Sequence, residues 1–442
     1  MIRFNYLNVV LFLSFFGAFI SLLLYNLVGA SLIANAPQLI RDLLIIWLVF
    51  KGIVEYNKKT KKASLNSIYF ILFLLTLLVI FTYNVSFGGK YNGDYFKSYV
   101  NNVRRFIMPL EILLFGVIYL KDEYSILFEK KIQRYLYVYW IFGLFEYSMP
   151  IVFWEKMNAM NYTMDAAFGA SNELNTLFDS GVFYTWDTLF LWGEKARRLV
   201  SFYIEPTTTA SLAIASVVFS DFIKDKHLLI LSVLCGLLTF SKGFFIFILL
   251  YSFIVFCYKF FGSRFAYKIL ILIFLVLFVL IFIIGYILYN KNPLLFEFGF
   301  FAHLVGLYEY FNNFKFFGYG IAEVGSFRYN TSDLSLSKIG IESSLANLIS
   351  QCGFFVLVLY YYSAKFIFKE AVVYYDLNVI VLFLMYMFVF STSNSATGYS
   401  GNFLILLLIA FFYNKNQSGY EKDLISYTSA PLSSYKWGYN KN

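Results

Sequence analysis

The residues of this sequence best placed to do chemistry stand in one short run, RRLVSFYIEPTTTA, residues 197 to 210. Arg197 and Arg198 precede Glu205 and Pro206, and a stretch of membrane-like apolarity follows. Proline suits the first helical position, where its missing N–H leaves nothing unpaired, so the spacing predicts a helix starting at Pro206. The N-terminus of such a helix presents unpaired N–H groups and a partial positive charge. Arg198, folded back beside that terminus, would complete a site for phosphate or pyrophosphate from a bidentate donor and backbone donors. The competing reading has Glu205 cap the helix while the arginines meet lipid headgroups.

Two further places combine charge with a tight turn. In TFSKGFF, residues 239 to 245, Ser241-Lys242-Gly243 turns one apolar segment into the next and sets Lys242 at the mouth of a bundle, where it would meet an anion or snorkel to headgroups. In FFGYGIAEVGSFRYN, residues 316 to 330, Gly318 and Gly320 permit a sharp turn, and Arg328 follows. Just downstream, KIGIESSLANLISQCG sets Glu342 at the start of an apolar segment, as a general base or as a carboxylate complementing the helix dipole. Glu111 and Glu146 interrupt apolar stretches, and Arg104 or Arg105 is the expected ion-pair partner of each.

The elements that must hold these residues are helices in a bilayer. The chain has 442 residues, of which 60% are hydrophobic and only 14% charged, where a soluble domain carries about 25% charged residues. Apolar runs of spanning length recur at about 6–28, 38–56, 65–83, 103–120, 135–154, 207–222, 228–240, 243–260, 268–289, 343–364, 376–392 and 400–413. The expected fold is therefore all-α, one polytopic domain over residues 1–413 with about twelve transmembrane helices. The polar tail, 414–442, is expected to be disordered and cytoplasmic. The first run, Leu7 to Val28, exceeds a signal-peptide core and reads as an uncleaved span.

Lys and Arg in the connections orient the bundle. With the N-terminus inside, the inner loops collect Lys58, Lys59, Lys61, Lys62, Lys130, Lys131, Arg134, Arg264 and Lys369, as the positive-inside rule requires, and both termini are cytoplasmic. Two outer connections, about 155–205 and 290–341, are far longer than simple turns. The first carries Trp154, Trp186 and Trp192 among acidic residues, a mixture suited to short interfacial helices or to an aromatic belt. Basic residues on the outer side, among them Lys195, Arg197, Arg198, Lys242, Arg328 and Lys338, run against the positive-inside bias and point to an outer-face anion. Topology accounts for the net charge of +9 better than nucleic-acid binding does, and Cys235, Cys257 and Cys352 lack metal-ligand spacing and read as buried hydrophobes. No internal repeat is visible.

These three places, in this order, resemble the O-antigen polymerase and O-antigen ligase family of bacterial envelope proteins. Arg198 seven residues before Glu205-Pro206 is similar to that family's Arg and Glu-Pro at the head of a span. Ser241-Lys242-Gly243 resembles its Ser-Arg-Gly turn, and Gly318-Tyr319-Gly320, Glu342 and Gly353 resemble its Gly-x-Gly, polar residue and span glycine. The resemblance covers about residues 197 to 355. Ser201 stands where the family often has Gly, Lys242 replaces an Arg, and no Arg matches the family's early loop Arg near His303. Glu342-Ser343 stands where ligases carry His-Asn, which favours a polymerase over a ligase.

The resemblance implies a GT-C-like, inverting membrane glycosyltransferase at the outer face of the bacterial cytoplasmic membrane. Its substrate would be an undecaprenyl-pyrophosphate-linked glycan, transferred onto a new lipid-linked repeat unit of O-antigen or capsule, with a chain-length regulator as a further partner. Arg198, Lys242, Arg328 and Arg197 would hold the pyrophosphate with no metal or cofactor, and Glu342 or Glu205 would be the base. The rival class is a lipid-linked oligosaccharide flippase or other secondary transporter, whose polar residues should instead gather at the bilayer midplane. A dolichol-type transferase would carry an acidic pair in the first outer loop, and residues 29–37 contain neither Asp nor Glu.

Overall fold

The computed structural model describes residues 2–29, 36–60, 93–120, 122–163, 183–185, 193–291, 304–321, 323–324, 343–354, 361, 365, 377–392 and 402–415. The expected third span, 65–83, and the tail from 416 onward lie outside the described residues. The architecture is almost wholly helical: α1 (Ile2–Val28), α2 (Ala36–Thr60), α3 (Gly93–Tyr119), α4 (Asp122–Ser148), and the short α5 (Val152–Lys156) and α6 (Ala159–Thr163). A two-residue hairpin, β1 (Tyr184–Thr185) with β2 (Ala196–Arg197), leads to a 3-10 turn at Ser201–Tyr203. There follow α7 (Pro206–Phe222), α8 (Lys226–Leu238), α9 (Lys242–Phe261), α10 (Ser263–Lys291), α11 (Val305–Asn312), α12 (Ser344–Cys352), α13 (Leu377–Thr392) and α14 (Asn402–Lys415).

Among the described residues, Tyr6–Val28 and Lys242–Phe261 are long and apolar enough to cross a membrane by length and composition. Lys226–Leu238, Leu377–Met387 and Asn402–Lys415 are shorter apolar helices. Several helices outrun the apolar stretches that announce them. α3 starts at Gly93 and α4 at Asp122; in α4 the added turns carry Glu, Lys, Gln and Arg, which sustain a helix as well as apolar residues do. One expected span is corrected: the run 343–364 is not a continuous helix, since α12 stops at Cys352 and Gly353 leaves it at φ +78°.

The core centres on α7, whose residues 208 to 220 are all buried. Eight of these thirteen residues are Ala, Ser or Thr, small side chains that let neighbouring helices approach. Their hydroxyls are satisfied within the bundle: Trp140 Nε1 donates to Ser216 Oγ at 3.0 Å, and Ser216 and Ser232 share a 2.6 Å hydrogen bond. At Gly236 on α8 an added Cβ would lie 2.2 Å from the Phe244 ring, so glycine sets the distance between α8 and α9.

Helix ends fall into two groups at opposite ends of the bundle. At one end the Asn414 amide donates to the carbonyls of Gly116, Val117 and Leu120, and Lys415 pairs with Glu129 at 2.9 Å. At this same end Asp225, in the turn between α7 and α8, caps α8 through Leu228 N–H and accepts from Gln133 at 2.8 Å and from the Tyr137 hydroxyl. Burial pushes the Asp225 carboxyl up, but those hydrogen bonds outweigh it and hold the group below its ordinary range. The other end carries the C-termini of α1, α4 and α8, the N-terminus of α7 and the described parts of the 151–205 connection, tied to α1 where Asn26 donates to the Met157 carbonyl at 2.6 Å.

Candidate functional site

The run that opens the sequence argument folds as a strap across this second end. Arg197 pairs with Tyr184 in the hairpin, and Arg198 N–H donates to the Phe183 carbonyl at 2.8 Å. Leu199 N–H then reaches the last turn of α8, donating to the Leu238 carbonyl at 2.9 Å. The chain next turns sharply, with Ser201 at φ +49° and Ile204 at φ +57°, both left-handed. Ser201, where the resembled family often has Gly, thus occupies a conformation that glycine adopts freely. Its hydroxyl donates to the Tyr139 carbonyl at 3.0 Å, and Gly143 on α4 leaves room for it: a Cβ there would sit 3.3 Å from Ser201 Oγ. Phe202 stacks on Phe142 with centroids 3.9 Å apart.

Arg197 and Glu146 form the ion pair that fixes the strap. Glu146 is fully buried, and its carboxylate accepts from Trp154 Nε1 at 3.0 Å, Arg197 Nη2 at 3.2 Å and Ser201 N–H at 3.2 Å. Arg197 also donates to the Glu146 carbonyl at 2.9 Å and to the Met149 carbonyl. Two expectations are corrected here. Glu146 pairs with Arg197, where the sequence expected Arg104 or Arg105, because the 193–205 segment folds back over the end of α4 while α3 packs against α2. Trp154 is no aromatic-belt residue: it is fully buried and helps to hold this carboxylate.

Arg198 lies elsewhere. Its Nε donates to the Thr239 carbonyl at 2.9 Å, so the guanidinium stands on the C-terminal end of α8, where a cation meets the negative end of a helix dipole. This bond joins the first motif to the second, because Thr239 opens the Ser241-Lys242-Gly243 turn. Phe240 at φ +48° reverses the chain, Ser241 is the N-cap of α9, and Lys242 is exposed in its first turn. The sequence expected Arg198 beside the N-terminus of α7; hydrogen bonding of the strap to the end of α8 directs it to the neighbouring turn.

Pro206 is the first residue of α7, as its chemistry predicts, and Glu205 is the N-cap. The Glu205 carboxylate accepts no first-turn N–H; it takes the hydroxyls of Thr207 and Thr208. Among the described residues no acceptor meets the N–H groups of Thr207 and Thr208, so this terminus keeps backbone donors for a ligand or water.

The third motif closes on itself. Tyr319 N–H donates to the Ser350 carbonyl at 2.7 Å, Gly320 N–H to Gln351 at 3.0 Å, and Phe354 N–H to Phe316 at 3.0 Å. The Gly-x-Gly segment thereby supplies the donors that the C-terminus of α12 lacks. A Cβ on Gly318 would lie 2.6 Å from the Gln351 carbonyl oxygen, and one on Gly353 would lie 2.5 Å from that of Phe316. Sequence reasoning set these glycines in one motif, and backbone contact between the two segments is the physical reason they belong together. Glu342, Arg328, His303, Trp186 and Trp192 lie outside the described residues. Ser343, next to Glu342, caps α12 by accepting Ala346 N–H at 3.2 Å.

One constellation escaped the sequence argument. Arg41 and Asp42 are buried in α2, paired at 2.8 Å, and Arg104 from α3 pairs with the same Asp42 at 2.5 Å. Arg104 therefore serves Asp42, the Arg105 side chain lies outside the described residues, and Glu111 Oε2 is buried without a hydrogen bond among the described residues. The signal was present in the sequence, since an Arg-Asp pair inside an apolar run is unusual. Arg41 also acts on the strap: burial raises the pKa of the Tyr203 hydroxyl, and the Arg41 charge opposes that rise.

Compared with protein-family models, curated proteins and solved structures, this chain finds no match.

Proposed function

We propose that this chain is a polytopic integral membrane protein of about twelve spans, both termini cytoplasmic, that polymerises lipid-linked glycan repeat units at the outer face of a bacterial cytoplasmic membrane. In the reaction, a hydroxyl of the incoming unit attacks the anomeric carbon of the growing chain, polyprenyl pyrophosphate leaves, and the configuration inverts. Such a site needs cations on the leaving group and a base for the attacking hydroxyl. Arg198, Lys242 and Arg328 take the first task and Glu342 or Glu205 the second. Arg197, engaged by Glu146, acts by holding the strap.

The observation that carries the reading is the contact of Arg198 with Thr239, which brings the Arg–Glu-Pro strap and the Ser-Lys-Gly turn to the same end of the bundle as the open N-terminus of α7. Large apolar side chains facing outward along α9 and α10, such as Leu249, Phe256, Leu272 and Ile283, support the membrane part.

The test is ladder formation by purified protein reconstituted with lipid-linked repeat units. Arg198→Lys keeps the charge but loses the fork, and it should lower the rate at least ~100-fold, the typical cost of removing a charged donor from a desolvated anion site. Wild-type ladders from Arg198→Lys at matched insertion would remove Arg198 from the mechanism, and no ladder from the wild-type protein would refute the polymerase reading. One observation favours a transporter instead: the buried Arg41, Asp42 and Glu111, with the partly buried Arg104, lie within helices. That reading expects movement of a lipid-linked glycan across the bilayer with no new glycosidic bond.

A further inference from the structure

The residues after α11, Asn-Phe-Lys-Phe-Phe at 313–317, display aromatic side chains on a braced backbone. Phe311, Phe314, Phe316 and Phe317 are 42%, 50%, 55% and 65% exposed. The segment beneath them is pinned: Tyr310 Oη donates to the Lys315 carbonyl at 2.6 Å, Tyr319 Oη to Asn313 at 2.5 Å, and Gly318 N–H to Lys315 at 3.0 Å. Phe314 packs edge-on to Phe354 with centroids 5.5 Å apart. A braced loop that holds phenylalanines in water is unfavourable by the apolar area it exposes, roughly 25 cal/mol per Å², unless something covers it.

The position of this hook along α10 says what covers it. α10 has no charged residue between Lys268 and Lys291, about 30 Å of helix at 1.5 Å per residue, which matches a hydrocarbon core. Tyr286 and Tyr289 lie in its last turns, and both reach α11: Tyr286 Oη donates to Asn312 at 3.0 Å, and Tyr289 Oη donates to Glu309. The hook is therefore fastened to the end of the apolar stretch, the level of headgroups if α10 spans. Its charge fits as well. Lys315 stands among the phenylalanines with its ammonium over the Tyr319 ring, Lys291 ends the helix, and the Glu309 carboxylate on α11 is engaged by Tyr289.

We propose that the Phe311–Phe317 hook is a membrane-interface anchor, its phenyl rings entering the acyl boundary and Lys315 meeting anionic phospholipid headgroups, so that it fixes the depth of the Gly318–Gly320 segment and α12. The proposal rests on the membrane part of the reading above and on nothing about polymerisation. Apolar faces of this kind enter an interface by about 5–10 Å.

The experiment uses the full chain in lipid nanodiscs. Phe317→Cys, with Phe316→Cys as a second variant, carries an environment-sensitive fluorophore, and Leu249→Cys on the exposed face of α9 is the reference. The native cysteines are buried, so labelling of the folded protein leaves them unmodified. The label at 317 should be quenched most by lipids bearing the quencher near the headgroup, and the label at 249 by lipids bearing it along the chain. Replacing anionic by zwitterionic lipid should weaken quenching at 317, and Lys315→Gln should abolish that dependence. Quenching at 249 with none at 317 or 316 overturns the anchor alone. Stronger quenching at 317 by chain-borne quencher overturns its interfacial placement, and indifference to lipid charge overturns the anionic assignment. Absence of quenching at every site refutes the membrane reading itself.

Discussion

Glu146→Ala should rank among the most destabilising single substitutions in this protein. The carboxylate is fully buried and collects Trp154 Nε1, the Arg197 guanidinium and the backbone N–H of Ser201, with Val200 N–H more distant at 3.4 Å. Alanine leaves Trp154 Nε1 and Ser201 N–H without their acceptor, each costing about 1–3 kcal/mol, and deprives Arg197 of its carboxylate while the Glu146 and Met149 carbonyls remain to it. The individual costs share one group and do not add, so the expected total is about 3–5 kcal/mol, the range for breaking a buried ion pair. Arg197→Ala should cost less, because the carboxylate retains its other donors, and Glu146→Gln should fall between, with one oxygen left to accept. Equilibrium unfolding in mixed micelles measures the order, and limited proteolysis between residues 183 and 200 reports release of the strap. If Arg197→Ala proves the more destabilising, or Glu146→Ala costs under about 1 kcal/mol, Glu146 does not organise the strap. Arg197→Lys should impair folding, whereas Arg198→Lys should impair turnover.

Gly318→Ala and Gly353→Ala should each destabilise by about 1–3 kcal/mol, since both glycines are left-handed and a Cβ on either meets backbone. Because they damage one contact, the double variant should cost less than the sum, and strict additivity in a double-mutant cycle would refute the shared interlock. Asp225 is held below its ordinary 3.8, so its stabilising contribution is present above that pH and is lost as pH falls through the folded value. The stability difference between wild type and Asp225→Asn should be constant near neutrality and shrink in acid; a difference that grows on acidification would contradict the capping role. Asp42→Ala removes the carboxylate shared by the buried Arg41 and the partly buried Arg104, whereas Arg104→Ala leaves a carboxylate still paired with Arg41, so Asp42→Ala should be the more severe, by unfolding in the same micelles.

Helix identity and extent along much of this chain are properties of sequence alone. Apolar runs near 20 residues admit one conformation in which every backbone group is paired locally, so α1, α2 and α7 to α10 lie where composition puts them. Pro206 marks the start of α7 for an equally local reason. The paired glycines and the placement of the Arg197–Arg198 and Ser241–Gly243 runs between helices were legible too, because a turn needs particular residues whatever surrounds it. Partner choice was not legible. Which arginine meets Glu146 depends on how the 151–205 connection folds over α4, and which carboxylate meets Arg104 depends on α3 lying against α2. Both are contacts across long sequence separations, on which local propensity is silent. The break at Gly353 is a tertiary outcome as well: sequence offered a continuous apolar run, and the backbone of Phe316–Gly320 crosses there, takes the helix's last carbonyls and ends it. Tertiary structure likewise decided the surroundings of Arg198, because its guanidinium follows the backbone of the strap, and that backbone is bound to the end of α8.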